Sequence, residues 1–111
     1  MQKDNLVYAG HMLDTARKAL RLVRGKSRSD YDQDETLSLA LTHLLQVIGE
    51  AATKVSVEGR SSWPGIPWQD IRAMRNRLTH AYFDINLDIV WNTITEDLPP
   101  FIAELEKILS P

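Results

Sequence analysis

Three arginines, a histidine and a tyrosine crowd into one short stretch: Arg72, Arg75 and Arg77 precede His80 and Tyr82, with residues 74–84 reading MRNRLTHAYFD. An imidazole titrates near pH ~6.5, so it can take a proton from a 2′-hydroxyl or hand one to a leaving oxygen. An arginine stays cationic and offers a planar fork of donors to phosphate oxygens as charge builds on them. Together these side chains suit cleavage of an RNA phosphodiester. The same residue types also decorate ordinary surfaces, so placement has to decide between the two.

On a helical wheel at about 100° per residue, Ile71, Met74, Leu78 and Ala81 share one side, and His80 falls opposite. His80 is therefore expected at the surface or in a cleft rather than in the core. Arg72, Asn76 and His80, spaced by four, stack as a polar stripe, while Arg75 borders the core side. Five residues separate Arg75 from His80, about 140° on an ideal helix. The pair serves one ligand only if Arg75 wraps around, the helix end distorts, or a second subunit closes a cleft over both.

The elements that must hold this stretch read as helices. Leu6, Leu13, Ala16, Leu20 and Val23 recur at spacings of three, four and seven, which predicts a helix over 4–23. RGKSRSDYDQDE breaks the pattern, with Ser29 or Asp30 as cap and Asp32, Asp34 and Glu35 suited to the positive end of the next helix. That second helix is expected over about 31–57, roughly 40 Å at ~1.5 Å per residue, on the seam Leu37, Leu41, Leu44, Ile48, Ala51, Val55. Beside the seam runs a stripe of mostly small side chains centred on Gly49, which would let another helix approach closely; a mid-helix glycine costs about 1 kcal/mol against alanine. EGRSSWPGIPW reads as a loop, with Pro67 at the first turn of a third helix that carries the arginines. YFDIN ends that helix, Asn86 caps a fourth through about residue 97, and LPP is expected to break the chain before a last helix over 101–109.

The sum is an all-α chain of about five helices. Its 111 residues suffice for one domain (1–111) with a modest core, which a partner copy would help to bury. The absence of cysteine removes disulfides, thiol nucleophiles and thiolate zinc sites together. The opening MQKDNLVYAG lacks a signal-peptide pattern, and no apolar run approaches the roughly 18 residues of a membrane span, so the expected location is cytoplasmic. The net charge of −2 conceals a segregated distribution: through Arg28 seven basic residues face two acidic ones, a local balance of +5. Such a segment could meet an RNA backbone or simply form a solvated helix face.

RNRLTH (75–80) resembles the Arg-x-x-x-x-His signature of HEPN domains, and with Tyr82 it takes the Arg-Asn-x-x-x-His-x-Tyr form of HepT-like toxins. IGEA in the second helix, IPWQDIRAMRN before the motif and YFDINLDIVWNTITEDLP after it are similar to HepT-family sequence too, so the resemblance spans most of the chain. It implies an antiparallel HEPN-like helical bundle that forms a homodimer and acts as a metal-independent endoribonuclease on cellular RNA. It also implies the toxin half of a toxin–antitoxin pair, whose MntA-like nucleotidyltransferase antitoxin neutralises it by adenylylation (AMPylation) of Tyr82. Arg75 would bind the scissile phosphate, and His80 would be general acid or base. Asn76 and Arg72 would support them, and no cofactor or metal is called for. Because each chain offers one such histidine, two motifs meeting across a dimer would supply both proton acceptor and donor.

Glu50, in IGEA, is a candidate contact for Arg75 or His80, against its other reading as an exposed helix carboxylate. His11 and His43 show no metal-ligand spacing. Trp68 and Trp91 sit on amphipathic helices and are expected to pack, whereas Trp63 is open to packing or to base stacking. A rival reading of the whole chain is a non-catalytic helical subunit that docks a nucleotidyltransferase or binds nucleotides.

Overall fold

The computed structural model describes residues 3–80 and 85–110 and is all-α, with no strand among the described residues. Helix α1 (Lys3–Val23) forms over the predicted span and buries Ala9, Met12, Leu13, Ala16 and Ala19; of the residues whose spacing predicted it, Leu13 and Ala16 are buried, Leu20 and Val23 are half-buried, and Leu6 is exposed. A short α2 (Arg28–Asp32) precedes α3 (Glu35–Lys54). The expected continuous helix over 31–57 is thus divided, and its cause lies in capping side chains. Ser27 and Asp30 form a reciprocal capping box at α2, and Asp34 accepts from the Leu37 amide at 3.0 Å to start α3 afresh. Ser27 caps α2 and Asp34 caps α3, in place of the single cap expected at Ser29 or Asp30.

At the far end Val55 turns extended because Ser56 is recruited elsewhere. Its hydroxyl accepts from the Gly59 amide (3.1 Å) and from Asn5 Nδ2 (2.8 Å), while its own amide donates to Asn5 Oδ1 (3.0 Å). Asn5 is 1% exposed, so this knot ties the start of α1 to the end of α3 and sets the two helices antiparallel. Ser56 also caps α4 (Val57–Ser62), a helical turn where a loop was expected from the Gly and Ser content. At 20 residues α3 is about 30 Å long, shorter than the sequence pattern suggested.

Trp63 to Pro67 is irregular, and Pro67 takes the N-cap position of α5 (Trp68–Leu78). The indole N–H of Trp68 donates to the Trp63 carbonyl at 3.1 Å, and Trp63 itself packs against the core. Asn86 caps α6 (Leu87–Asn92) through the Ile89 amide at 3.0 Å, as its sequence context predicts. Trp91 packs on the buried Tyr31 ring at 5.0 Å, and the Tyr31 hydroxyl donates to the Leu87 carbonyl at 3.0 Å.

LPP does not break the chain. α6 passes through a π-helical segment (Thr93–Asp97) directly into α7 (Leu98–Leu109), which carries both prolines in its first turn. A proline ring inside an α-helix collides with the carbonyl four residues back and offers it no hydrogen. In the wider π turn the Leu98 amide bonds instead to the Thr93 carbonyl, five residues back, and the prolines are accommodated without a stop. Ile94, Leu98, Phe101 and Leu105 stay in the core, which α1, α3 and this long rod share.

Candidate active site

α5 runs antiparallel along α3 and is fastened at three levels. At its C-terminal end Gln46 donates to the Leu78 carbonyl at 3.0 Å. One turn away α3 offers Gly49, where a β-carbon would stand 2.9 Å from Arg75 Cβ and 3.1 Å from its Cγ. Only a glycine leaves room for the Arg75 stem at this separation, which is the close approach that the small-residue stripe anticipated. Beside it, Glu50 Oε1 accepts from Arg75 Nε at 2.7 Å.

The Arg75 and Glu50 side chains are 37% and 59% exposed, so their attraction is screened by water and contributes little to stability. Its consequence is directional. With Nε committed to Glu50, the terminal amino groups of the guanidinium remain for an incoming anion.

His80 does not lie on the helix. α5 ends at Leu78, and Thr79 closes it with its amide and hydroxyl both on the Arg75 carbonyl at 3.1 Å. His80 follows in the turn and is exposed, as its position opposite the apolar side required. Thr79 itself keeps helical dihedrals (φ −55°, ψ −31°), so the chain stays near the helical path as far as His80. The polar stripe of Arg72, Asn76 and His80 is shortened: Arg72 and Asn76 are exposed on α5, and His80 lies beyond it. Tyr82, with neighbouring Ala81, lies outside the described residues.

Two cavities flank α5. One, about 400 Å³, opens between α3, α4 and α5 and is lined by Gly49, Thr53, Arg60, Trp68 and Arg72 among others. The second, about 430 Å³, lies toward the π segment and α7 over Leu45, Met74 and Phe101, with Asp70, Asp97 and Glu104 in its wall. Of the other imidazoles, His11 meets the Tyr8 ring edge-on at 6.2 Å and His43 is exposed on α3. No group of three His, Asp or Glu residues is placed to hold a metal among the described residues, and no described helix is long and apolar enough to cross a membrane.

Gln46 and Arg60 went unnoticed in the sequence. Gln46 stands one turn before Glu50, so the pair is a polar edge on the α3 face that meets α5; that spacing was the available signal. Arg60 gave none, being one cation in a stretch that reads as loop.

A model of the family described as ribonuclease HepT-like matches residues 12–108. Among similar proteins is "Putative RNase TTE0752" of Caldanaerobacter subterraneus, 33% identical, with the match covering 92% of this chain and 91% of that protein. "Probable ribonuclease HepT" of Thermococcus cleftensis is 30% identical over 86% of this chain and 91% of its own length. A third, "Gamma-glutamylcyclotransferase and putative RNase MJ0434" of Methanocaldococcus jannaschii, is 28% identical over 98% of this chain, which spans 49% of that longer protein. No solved structure matches the chain.

Proposed function

We propose, since this chain belongs to the HepT-like ribonuclease family, that it is a metal-independent endoribonuclease and the toxin of a toxin–antitoxin pair. The observation that carries the reading is the Arg75 guanidinium, seated over Gly49 and turned by Glu50, five residues from the exposed His80. Arg75 binds the scissile phosphate and stabilises the charge that gathers on its oxygens. His80 takes the proton of the 2′-hydroxyl as that oxygen attacks phosphorus. The P–O5′ bond breaks, and the 5′-oxygen takes a proton from the protonated His80 of a second copy, leaving a 2′,3′-cyclic phosphate and a 5′-hydroxyl. The chain works as a homodimer because each copy supplies one such imidazole. Asn76 and Arg72 support the motif on the exposed side of α5. The antitoxin is a nucleotidyltransferase that transfers AMP to Tyr82.

The test is RNA cleavage and growth arrest with His80→Ala and Arg75→Ala. Loss of a general acid–base group lowers the rate by about 10²–10⁴-fold, so both variants should lose cleavage and toxicity while keeping a wild-type circular dichroism spectrum. Undiminished toxicity in both would instead favour the docking-subunit reading. Cleavage should persist in chelator; activity abolished by chelation and restored by a divalent ion would overturn the metal-independent mechanism. Purified singly, the two variants should be inactive, and mixing should not restore a dimer that needs both motifs intact. Intact-mass and peptide mapping after incubation with an MntA-like nucleotidyltransferase and ATP test Tyr82 as the acceptor.

A further inference from the structure

The two cavities beside α5 carry opposite charge. The cavity between α3, α4 and α5 has Arg60 and Arg72 in its wall and no carboxylate among its lining residues. The cavity toward α7 has Asp70, Asp97 and Glu104 and no basic side chain among its own. A strand with one negative charge per nucleotide is drawn to the first and repelled by the second.

The basic cavity also adjoins the motif. Gly49 lines it and at the same time touches the Arg75 stem, so the cavity begins where the phosphate-binding arginine is rooted. Arg72 stands one helical turn before Arg75, a spacing that puts the two on neighbouring parts of the α5 surface. The wall is preorganised as well. Trp68 is fixed by its indole bond to the Trp63 carbonyl (3.1 Å), and one Arg60 amino group is anchored on the Val55 carbonyl (3.0 Å), leaving the remaining donors of that guanidinium. Thr53, Ser61 and Gln69 add uncharged hydrogen-bonding groups. A volume of about 400 Å³ is at the lower end of small-ligand sites, room for one nucleotide.

We infer that this cavity is the subsite for the nucleotide next to the scissile phosphate of an RNA strand, its base stacked on Trp68 and its phosphate held by Arg60 and Arg72. The inference rests on the ribonuclease reading for its substrate. Its test does not require catalysis.

The probe is a short oligoribonucleotide with every 2′-hydroxyl methylated, which can bind but cannot be cleaved. It is titrated against the full chain by fluorescence anisotropy over a series of salt concentrations. Arg60→Gln and Arg72→Gln should each weaken binding about tenfold and each lower the slope of log affinity against log salt by about 0.7, the loss of one phosphate contact on a single strand. Trp68→Leu should weaken binding about tenfold or more with the slope unchanged, because stacking carries no counterion release. Should Trp68→Leu fail to fold, the two arginine slopes decide. Unchanged affinity and slope in variants with wild-type circular dichroism would overturn the subsite, as would AMP binding as tightly as the oligonucleotide, which would mark a site for free nucleotides. Binding that responds to the variants in a protein that cleaves no RNA would uphold the subsite and sink the ribonuclease reading. Cleavage by wild type with no response to the variants would do the reverse.

Discussion

Gly49→Ala sets two effects of known size against each other. In an exposed helix the change stabilises by about 1 kcal/mol, because alanine loses less backbone entropy on folding. In α3 the new methyl would stand 2.9 Å from Arg75 Cβ, an atom fixed to the α5 backbone and unable to swing aside. Ordinary carbon contacts begin near 3.5 Å, so the two helices must part by roughly 0.6–1 Å. Overpacking of this kind costs about 1–3 kcal/mol, which leaves a net loss of roughly 0–2 kcal/mol. Function should suffer more, since Arg75 moves with its helix and a misplacement of about 1 Å can lower a rate by about 10²-fold. Gly10→Ala is the internal control: it lies inside α1, where a β-carbon would meet nothing within 4 Å. That variant should gain about 0.5–1 kcal/mol and keep its activity. Urea unfolding of both variants, with kcat/KM on RNA, separates the outcomes. A Gly49→Ala protein that is as much stabilised as Gly10→Ala and fully active would refute the claim that this glycine sets the position of Arg75.

Further perturbations probe the surroundings. Glu50→Gln should change stability by less than about 1 kcal/mol in urea, given the exposure of the pair, yet lower kcat/KM by releasing Arg75 from its orientation. Burial pushes the Tyr31 hydroxyl up from its ordinary value, so its contribution is intact below about pH 10 and is lost as pH rises past that value. Tyr31→Phe should therefore unfold less steeply with alkali, while costing about 0.5–1.5 kcal/mol at neutral pH through the lost bond to the Leu87 carbonyl. Hydrogen bonds from the Ser27 amide, and then from its side chain, hold the Asp30 carboxyl below the usual carboxylate range. Its contribution is present above the unfolded value of about 3.9 and lost as pH falls below it. Urea midpoints of Asp30→Asn should accordingly vary less with pH across that acid window than those of wild type.

Much of the fold was legible because it follows from periodicity. The apolar spacing of α1, the seam of α3 and the Asn86 cap each depend on a few neighbouring residues, and the helices formed where those residues required. The ends of α3 were misplaced for a different reason. Val55 continues the apolar seam, but Ser56 makes its bonds to Asn5, fifty-one residues away, and no local pattern reports such a partner. Likewise Pro99 and Pro100 read as a stop, since their missing hydrogens are visible in sequence and the π turn that accommodates them is not. At the site, the exposure of His80 and the reach of Glu50 to Arg75 could be foreseen as possibilities from wheel position and residue type. The early end of α5 and the polarity of the two cavities could not, because they depend on Thr79, Gln46 and the packing of α4.

The π segment also makes the end of the chain sensitive to length. A π turn holds one residue more than the α-helix it interrupts, so α7 is out of phase with α6 by one residue, about 100° of rotation. Phe101 and Leu105 face inward with that offset in place. Deleting any one residue among Thr93–Asp97 and restoring a uniform helix would remove the extra residue and the offset together, so Phe101 and Leu105 would still face α1, but the two proline rings would be set against the carbonyls behind them. What the segment provides is therefore room for two prolines without turning α7: a single-residue deletion within it should be tolerated once Pro99 and Pro100 are replaced by alanine, and hardly at all while they remain.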